Sequence, residues 1–384
     1  MTRKADRTAS GRGTGNPFHY GSPVAGDRFA DRTLEVDALV RRMLDGQNVI
    51  VLSPRRYGKT SLLLRALELV RRRGGRTGYA SLIKASNRRE VAEALLAAVL
   101  AGPAGWLARR RTELARLLAG LRIQPTVTVH PNGSWQVTFA AASVETAWEG
   151  VLEDSLRILA TVAKSHPTSL VIDEFQRAAE IDAGLPGVFK AIADELRDVS
   201  LVFAGSKLHV MRELSSGPGA PLLGMGERIV LDVIPEDAMT RYLTHRATAA
   251  GKHMSTHAAG LIYAAVDGIP NDVQRLAFEA FLVAGDTIDE ETVAIAMQRI
   301  VSHQSTDYGE LYERLAPTQQ RVLRALACEP TGAVYAASFL HDADVTNPNS
   351  VRAAIDVLEG RELLRRRDGV WMVGNAFFRA WLCQ

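Results

Sequence analysis

Cysteine is almost absent. The chain carries Cys328 and Cys383 alone, too few and too far apart in sequence to suggest a disulfide framework or a cysteine-based metal site. A reduced, cytoplasmic setting fits that scarcity. The nine histidines are scattered without metal-ligand spacing, so they imply no metal centre. Long apolar runs are also missing. The most apolar stretch, Ala94 to Ala108, is too short to span a bilayer, contains Gly102 and Pro103, and runs into Arg109, Arg110 and Arg111. The basic N-terminal stretch has no apolar core and does not read as a secretory signal, so no membrane partner is expected. An excess of either charge sign is missing too. The net charge is +3, and Arg3, Lys4, Arg7 and Arg12 against Asp6 account for it. Bulk charge therefore gives no argument for nucleic acid.

What is present is an ordinary globular composition, 47% hydrophobic, 23% charged and 6% aromatic, which supports a sizeable, helix-rich core. The 384 residues allow two or three domains, at about 100 to 200 residues each. Residues 1–15, basic and rich in Gly, Ser and Thr, read as a disordered tail. After a Pro- and Gly-rich lead-in, residues 34–44 have helical spacing. Residues 48–52 (NVIVL) then form a short apolar run, and 59–73 carry leucines at helical intervals, which predicts strand, turn and helix.

A second strand is expected at 78–83, two helices over 88–118 broken at Gly102-Pro103, and a hairpin in QPTVTVHPNGSWQVTF turning at Pro131-Asn132-Gly133. Further on, the pattern predicts helices at 144–163 and 187–197 and buried strands at 169–172 and 200–204. Short apolar strands alternating with amphipathic helices predict a mainly parallel sheet covered on both faces. That is an α/β nucleotide-fold pattern, three-layered, over residues 16–234, with the helical and hairpin insertion at about 87–142. Residues 235–304 show only helical periodicity and predict an all-α lid. Residues 305–384 carry helices followed by GRELLRRRDGVWMV, which turns at Asp368-Gly369 and resembles a winged helix-turn-helix.

The stretch VIVLSPRRYGKTSLL matches the phosphate-loop pattern G-x-x-x-x-G-K-[ST], with Ser53 in the first glycine's place. Such a loop turns its backbone N–H groups around a β-phosphate, while the following helix offers its positive end to the same anion. Ser53, Pro54, Arg55, Arg56, Tyr57, Gly58, Lys59, Thr60 and Ser61 would line the polyphosphate of ATP. Gly58 permits close backbone approach, Lys59 would bridge the β- and γ-phosphates, and Thr60 would coordinate Mg²⁺. Arg55 and Arg56 read equally as phosphate ligands or as solvated loop charges.

Residues 169–174 (SLVIDE) deliver two adjacent carboxylates at the C-terminal edge of an apolar strand, which in such sheets faces the ligand crevice. Asp173 would hold the magnesium shell and Glu174 would orient and polarise the attacking water. A pair of carboxylates there could also cap the next helix. At the end of the following strand, Ser206 either contacts the γ-phosphate or the water, and so senses hydrolysis, or caps a helix. No site for an acceptor hydroxyl is evident, so hydrolysis is expected rather than transfer.

Taken together, NPFHYG, GDRFADRTLEVDAL, SPRRYGKTSLL, LVIDEFQ, AGSKLHVM, GIPNDVQ and FFRAWL resemble the archaeal-type ATPases, AAA/STAND-like P-loop proteins also found in bacteria. The resemblance runs from about Asn16 to Leu382. It implies a RecA/AAA-like P-loop NTPase core of the class with an added central strand, then a helical lid and a winged helix. It also implies that Phe29 and Arg32 help enclose the adenine, and that Gly268-Ile269-Pro270 packs against nucleotide. The last three residues equally fit a helix end at Gly268 and a helix start at Pro270. An arginine is expected after the Pro-Leu-x-Gly stretch, where this chain reads APLLGMGERIVL with Arg228 displaced, so an arginine finger stays unassigned.

In the C-terminal domain, residues 349–360 would be the recognition helix, with Arg352 on it and Arg361, Arg365, Arg366 and Arg367 in the wing. These could contact DNA phosphates. Asp356, Glu359, Glu362 and Asp368 dilute that charge, and winged helices also pack or bind regulatory proteins. Three readings stand: an ATP-driven molecular switch, a DNA-associated ATPase, and a nucleotide-binding module with negligible turnover.

Overall fold

A computed structural model of the chain describes residues 15–24, 29–105, 112, 116, 118–122, 124–130, 135–139, 148–196 and 198–384. The expected tail, the hairpin turn at 131–134 and most of the second insertion helix lie outside the described residues. The chain divides into two compact units, Pro23–Val233 and the remainder.

The first unit opens with α1 (Thr33–Leu44), β1 (Val49–Leu52), α2 (Lys59–Arg72), β2 (Arg76–Ser81) and α3 (Arg88–Ala101). The hairpin strands β3 (Thr126–Val129) and β4 (Trp135–Thr138) follow, then α4 (Trp148–Ala163) and β5 (Thr168–Asp173). It closes with α5 (Gln176–Ile181), α6 (Leu185–Glu195), β6 (Val199–Gly205), α7 (Leu208–Ser215) and β7 (Glu227–Val230). The main sheet has the order β2-β5-β6-β1-β7, and every pairing is parallel. Because β6 lies between β1 and β5, the added central strand implied by the resemblance is present.

Strand alternation builds the layers. Val49, Val51, Val171 and Val202 pack on one face with Leu62, Leu63, Ala66 and Leu67 of α2. Ile50, Leu52, Ile172 and Phe203 pack on the other with Leu95 and Leu96 of α3. Residues of β1, β5 and β6 are buried throughout, as a parallel sheet covered on both faces requires. The strand β7 was not foreseen. Its sequence ERIV buries only Ile229, so it lacks the continuous apolar run of a central strand and reads as loop. The hairpin β3–β4 pairs antiparallel as a separate sheet, in keeping with an insertion.

The second unit contains α8 (Glu236–Ala249), β8 (His253–Met254), α9 (Thr256–Ala265), α10 (Pro270–Val283), β9 (Thr287–Ile288), α11 (Glu290–His303) and α12 (Ser305–Glu313). The lid is therefore not purely helical. The strands β8 and β9 pair in parallel and are too short to leave a period in the sequence. Then come α13 (Pro317–Cys328), α14 (Ala337–Asp342), α15 (Pro348–Gly360), β10 (Leu364–Arg367), β11 (Val370–Val373) and α16 (Ala376–Leu382). The pair β10–β11 is the expected antiparallel wing.

Residues 16–22, expected with the core, belong to this second unit. Asn16 Nδ2 donates to Phe278 O at 2.9 Å, Gly21 N donates to Asn271 Oδ1 at 3.0 Å, and the Phe18 ring meets Phe281 edge-on at 6.1 Å. Among the described residues no helix is long and apolar enough to cross a membrane.

Candidate functional site

The phosphate loop joins β1 to α2. Ser53 is fully buried, its amide donating to Gly205 O at 3.3 Å and its hydroxyl to Pro54 O at 3.0 Å. A small side chain that satisfies itself on the loop is thus accommodated where glycine was expected. Arg56 and Gly58 have φ of 72° and 84°. Left-handed residues at alternate positions curl the chain so that successive N–H groups converge, the geometry of an anion nest. Arg55 and Arg56 are exposed, whereas Tyr57 and Lys59 are buried and Pro54 and Thr60 half-buried. The Ser61 hydroxyl accepts from Val24 N at 3.0 Å.

Lys59 and the two carboxylates, 114 and 115 positions apart in sequence, converge. The ammonium donates to Asp173 Oδ1 and, at 2.6 Å, to Glu174 Oε1. The Lys59 and Asp173 side chains are only 6% and 4% exposed, so neither charge could stay there without the other. Glu174 stands at φ 57°, a left-handed conformation that costs about 1 kcal/mol or more. Phe175 holds it there. Its amide donates to Ala204 O at 2.8 Å, and its ring meets Phe203 and Phe189 edge-on at 4.7 and 5.2 Å.

Two residues that sequence reading missed complete the cluster. Tyr79, from β2, donates its hydroxyl to Asp173 Oδ2 at 2.6 Å. Burial and the adjacent Asp173 charge push its phenol far above the usual range, so it remains a donor. Gln176 donates from Nε2 to Glu174 Oε2 at 2.5 Å. Only the FQ after the acidic pair and the aromatic in the neighbouring strand could have hinted at them.

Ser206 also donates to Glu174 Oε2, at 2.7 Å. The helix-cap alternative for Ser206 fails, because Lys207 occupies the N-cap of α7. Burial pushes the Glu174 carboxyl up, but the Lys59 charge and hydrogen bonds from Lys59, Ser206 and Gln176 outweigh it and hold the group below its ordinary range. Gly205 is needed beside it, since a Cβ there would lie 2.4 Å from Met211 Cγ and 2.6 Å from Gln176 Oε1.

The donor set suits magnesium, a hard cation held by one or two carboxylates and by phosphate oxygens. Asp173 and the Thr60 hydroxyl would hold it. Among the described residues there is no cluster of three His, Cys, Asp or Glu that would form an all-protein metal cage.

Arg32 departs from expectation. Its guanidinium is buried, donating to Tyr57 O at 2.9 Å, Asp232 O at 2.6 Å and Glu35 Oε1 at 2.9 Å. Its donors tie α1 to the phosphate loop instead of facing an adenine. Phe29 is half-buried and packs against the core face that includes Leu39 and Val51. Pro270 is the first residue of α10, preceded by Gly268 at φ 69°, so the helix-boundary reading of this turn holds. Arg228 lies on β7 and bonds the Ser216 hydroxyl.

Residues 306–384 match the family model described as "Probable winged helix domain". No match was found among curated proteins. The fold is similar to that of a Walker-type ATPase of Pyrococcus abyssi, at 14% identity and a TM-score of 0.65, covering 96% of this chain and 100% of that one. It is also similar to the Aeropyrum pernix ORC1 protein in complex with DNA, at 16% identity and a TM-score of 0.50, covering 93% of each chain. The fold is that of the P-loop ATPases, with a C-terminal winged helix.

Proposed function

We propose that this chain binds ATP with Mg²⁺ at residues 53–61, hydrolyses the β–γ phosphoanhydride, and works as a nucleotide-dependent molecular switch through its lid and winged helix. The observation that carries this is the convergence of Lys59, Asp173 and Glu174 at one point beside the loop. Lys59 would neutralise β- and γ-phosphate charge, and Thr60 with Asp173 would hold the cation. Bound magnesium would offset the negative charge that develops on the phosphoryl oxygens.

Glu174 would orient and polarise water, its carboxylate held by hydrogen bonds from Ser206 and Gln176. A phosphate that draws Lys59 away removes the charge that depresses Glu174, so the carboxylate becomes a better base when substrate arrives. Phe29 is assigned to the adenine side. Binding and turnover measured on wild type, Lys59→Ala and Glu174→Gln test the assignment. Loss of binding only in the first and of turnover in both is expected, and unchanged ATP affinity in Lys59→Ala overturns it.

A second reading, duplex DNA held by the winged helix, is supported by exposed Arg352, Arg361 and Arg366 and by the ORC1 protein's complex with DNA. Two of the wing arginines are employed otherwise. Arg365 donates to Asp267 Oδ2 at 2.8 Å, and Arg367 donates to Asp267 O at 3.4 Å. DNA contact would therefore fall to α15 and the outer wing. Salt-dependent binding to a duplex, weakened by Arg352→Ala, is the expected result for this reading.

A further inference from the structure

The two cysteines of the chain, remote in sequence, are neighbours in space. Cys328 ends α13 and Cys383 caps α16, and their sulfurs lie 3.6 Å apart on an exposed surface. The scarcity that argued against a disulfide framework or a cysteine-based metal site left only these two, and the fold pairs them. Closing a disulfide needs an S–S distance of about 2.0 Å, a short further approach for two exposed side chains at helix ends.

A route for an oxidant is present. Cys328 lines a cavity of about 610 Å³ together with Tyr312, Arg321, Arg324 and Phe339. Arg321 is paired with Asp344, whereas the Arg324 and Arg379 charges both act on the Cys383 thiol. Cationic groups around a thiol favour its thiolate and attract small anions. Burial and the neighbouring Cys328 outweigh them at Cys383 and push that thiol up. Cys328 lines the cavity, so it is the sulfur that an oxidant entering there meets.

We propose that Cys328 and Cys383 form a reversible redox clasp, oxidised by a small carboxylate-bearing disulfide of the glutathione class. The Cys328 thiolate attacks one sulfur of the small disulfide, forming a mixed disulfide and releasing one small thiolate. The Cys383 thiolate then attacks the Cys328 sulfur, forming the internal disulfide and releasing the second. The two protons of the protein thiols end on the two released small thiols, and the two electrons lost by the protein pair are gained by the small disulfide.

The consequence follows from where α16 leads. Arg379 of that helix donates to both oxygens of Asp267, at 3.0 and 2.9 Å, in the turn between α9 and α10. The clasp would fasten the helix that holds the lid turn to α13 of the winged domain. Disulfides in reducing compartments are commonly transient and regulatory, which fits an exposed pair.

The test equilibrates the full chain with graded mixtures of oxidised and reduced glutathione, then measures intact mass and free thiols. Wild type should lose both thiols together as a monomer, with the mass of two hydrogens gone, and regain them under dithiothreitol. Cys383→Ser should instead accumulate one glutathione on Cys328. Retention of both free thiols in wild type, stable adducts on both cysteines, or cross-linking between chains would overturn the proposal.

Discussion

Lys59 donates to Glu174 Oε1 at 2.6 Å, so the ammonium expected to grip phosphate also holds the carboxylate expected to activate water. The same nitrogen bonds Asp173. This arrangement links the stability of the core to the chemistry of the site, because one nearly buried cation balances two carboxylates. Any ligand that competes for Lys59 changes the electrostatics of Glu174 directly, with no need for a long relay.

The first prediction concerns that cation. Lys59→Ala should abolish ATP binding in calorimetry and also lower stability by about 3 to 5 kcal/mol in urea unfolding, because Asp173 is left as an unpaired buried charge. Loss of binding with full stability would mean that Asp173 finds another partner.

Glu174→Gln keeps the size but removes the charge and turns one of the two acceptor oxygens, which take bonds from Lys59, Gln176 and Ser206, into a donor. It should bind ATP and turn over at least tenfold more slowly, on the order of 1.4 kcal/mol or more in barrier. A wild-type rate in a phosphate-release assay would remove Glu174 from the mechanism.

The phosphate loop and the acidic pair were legible because each is a local pattern whose spacing is the chemistry. Strand, loop and helix are contiguous at 49–72, and so are the apolar run and the carboxylates at 168–174. The parts that escaped depend on distant residues. Tyr79 acts on Asp173 only because β2 pairs with β5, and sequence does not announce strand order. Arg365 and Arg367 read as phosphate contacts until Asp267, about a hundred residues earlier, takes them. The edge strand β7 and the two-residue strands of the lid carry too few apolar positions to show a period.

Ser206→Ala removes one of the bonds that depress the Glu174 carboxyl. A group with a lowered folded pKa contributes stability above its unfolded pKa, and that contribution is lost as pH falls through the folded value. In the variant the folded pKa rises, so the acid limb of the ATPase profile should move to higher pH, with ATP affinity little changed. An unmoved limb would show that Ser206 does not act through Glu174.

Phe203 lies fully buried between Phe175 and Phe189, with centroids at 4.7 and 6.3 Å. Phe203→Ala should cost about 3 to 5 kcal/mol in thermal or urea unfolding. Because Phe175 follows Glu174 directly, turnover should fall further than the folded fraction alone explains.

The last prediction concerns Asp267, whose side chain is 21% exposed and accepts from Arg365 and from Arg379. Removing it leaves two partly buried guanidinium groups without their carboxylate, each having lost a charge-assisted bond worth about 1.5 to 3 kcal/mol. Asp267 also sits at φ 54°, where Asn is tolerated better than Ala. Asp267→Asn should therefore be the milder change, keeping an acceptor and the backbone geometry, and Asp267→Ala the harsher, with a lower melting temperature in calorimetry. If Ala were the milder of the two, neither the charge pairing nor the left-handed backbone at this turn would matter to how the wing and the C-terminal helix are held.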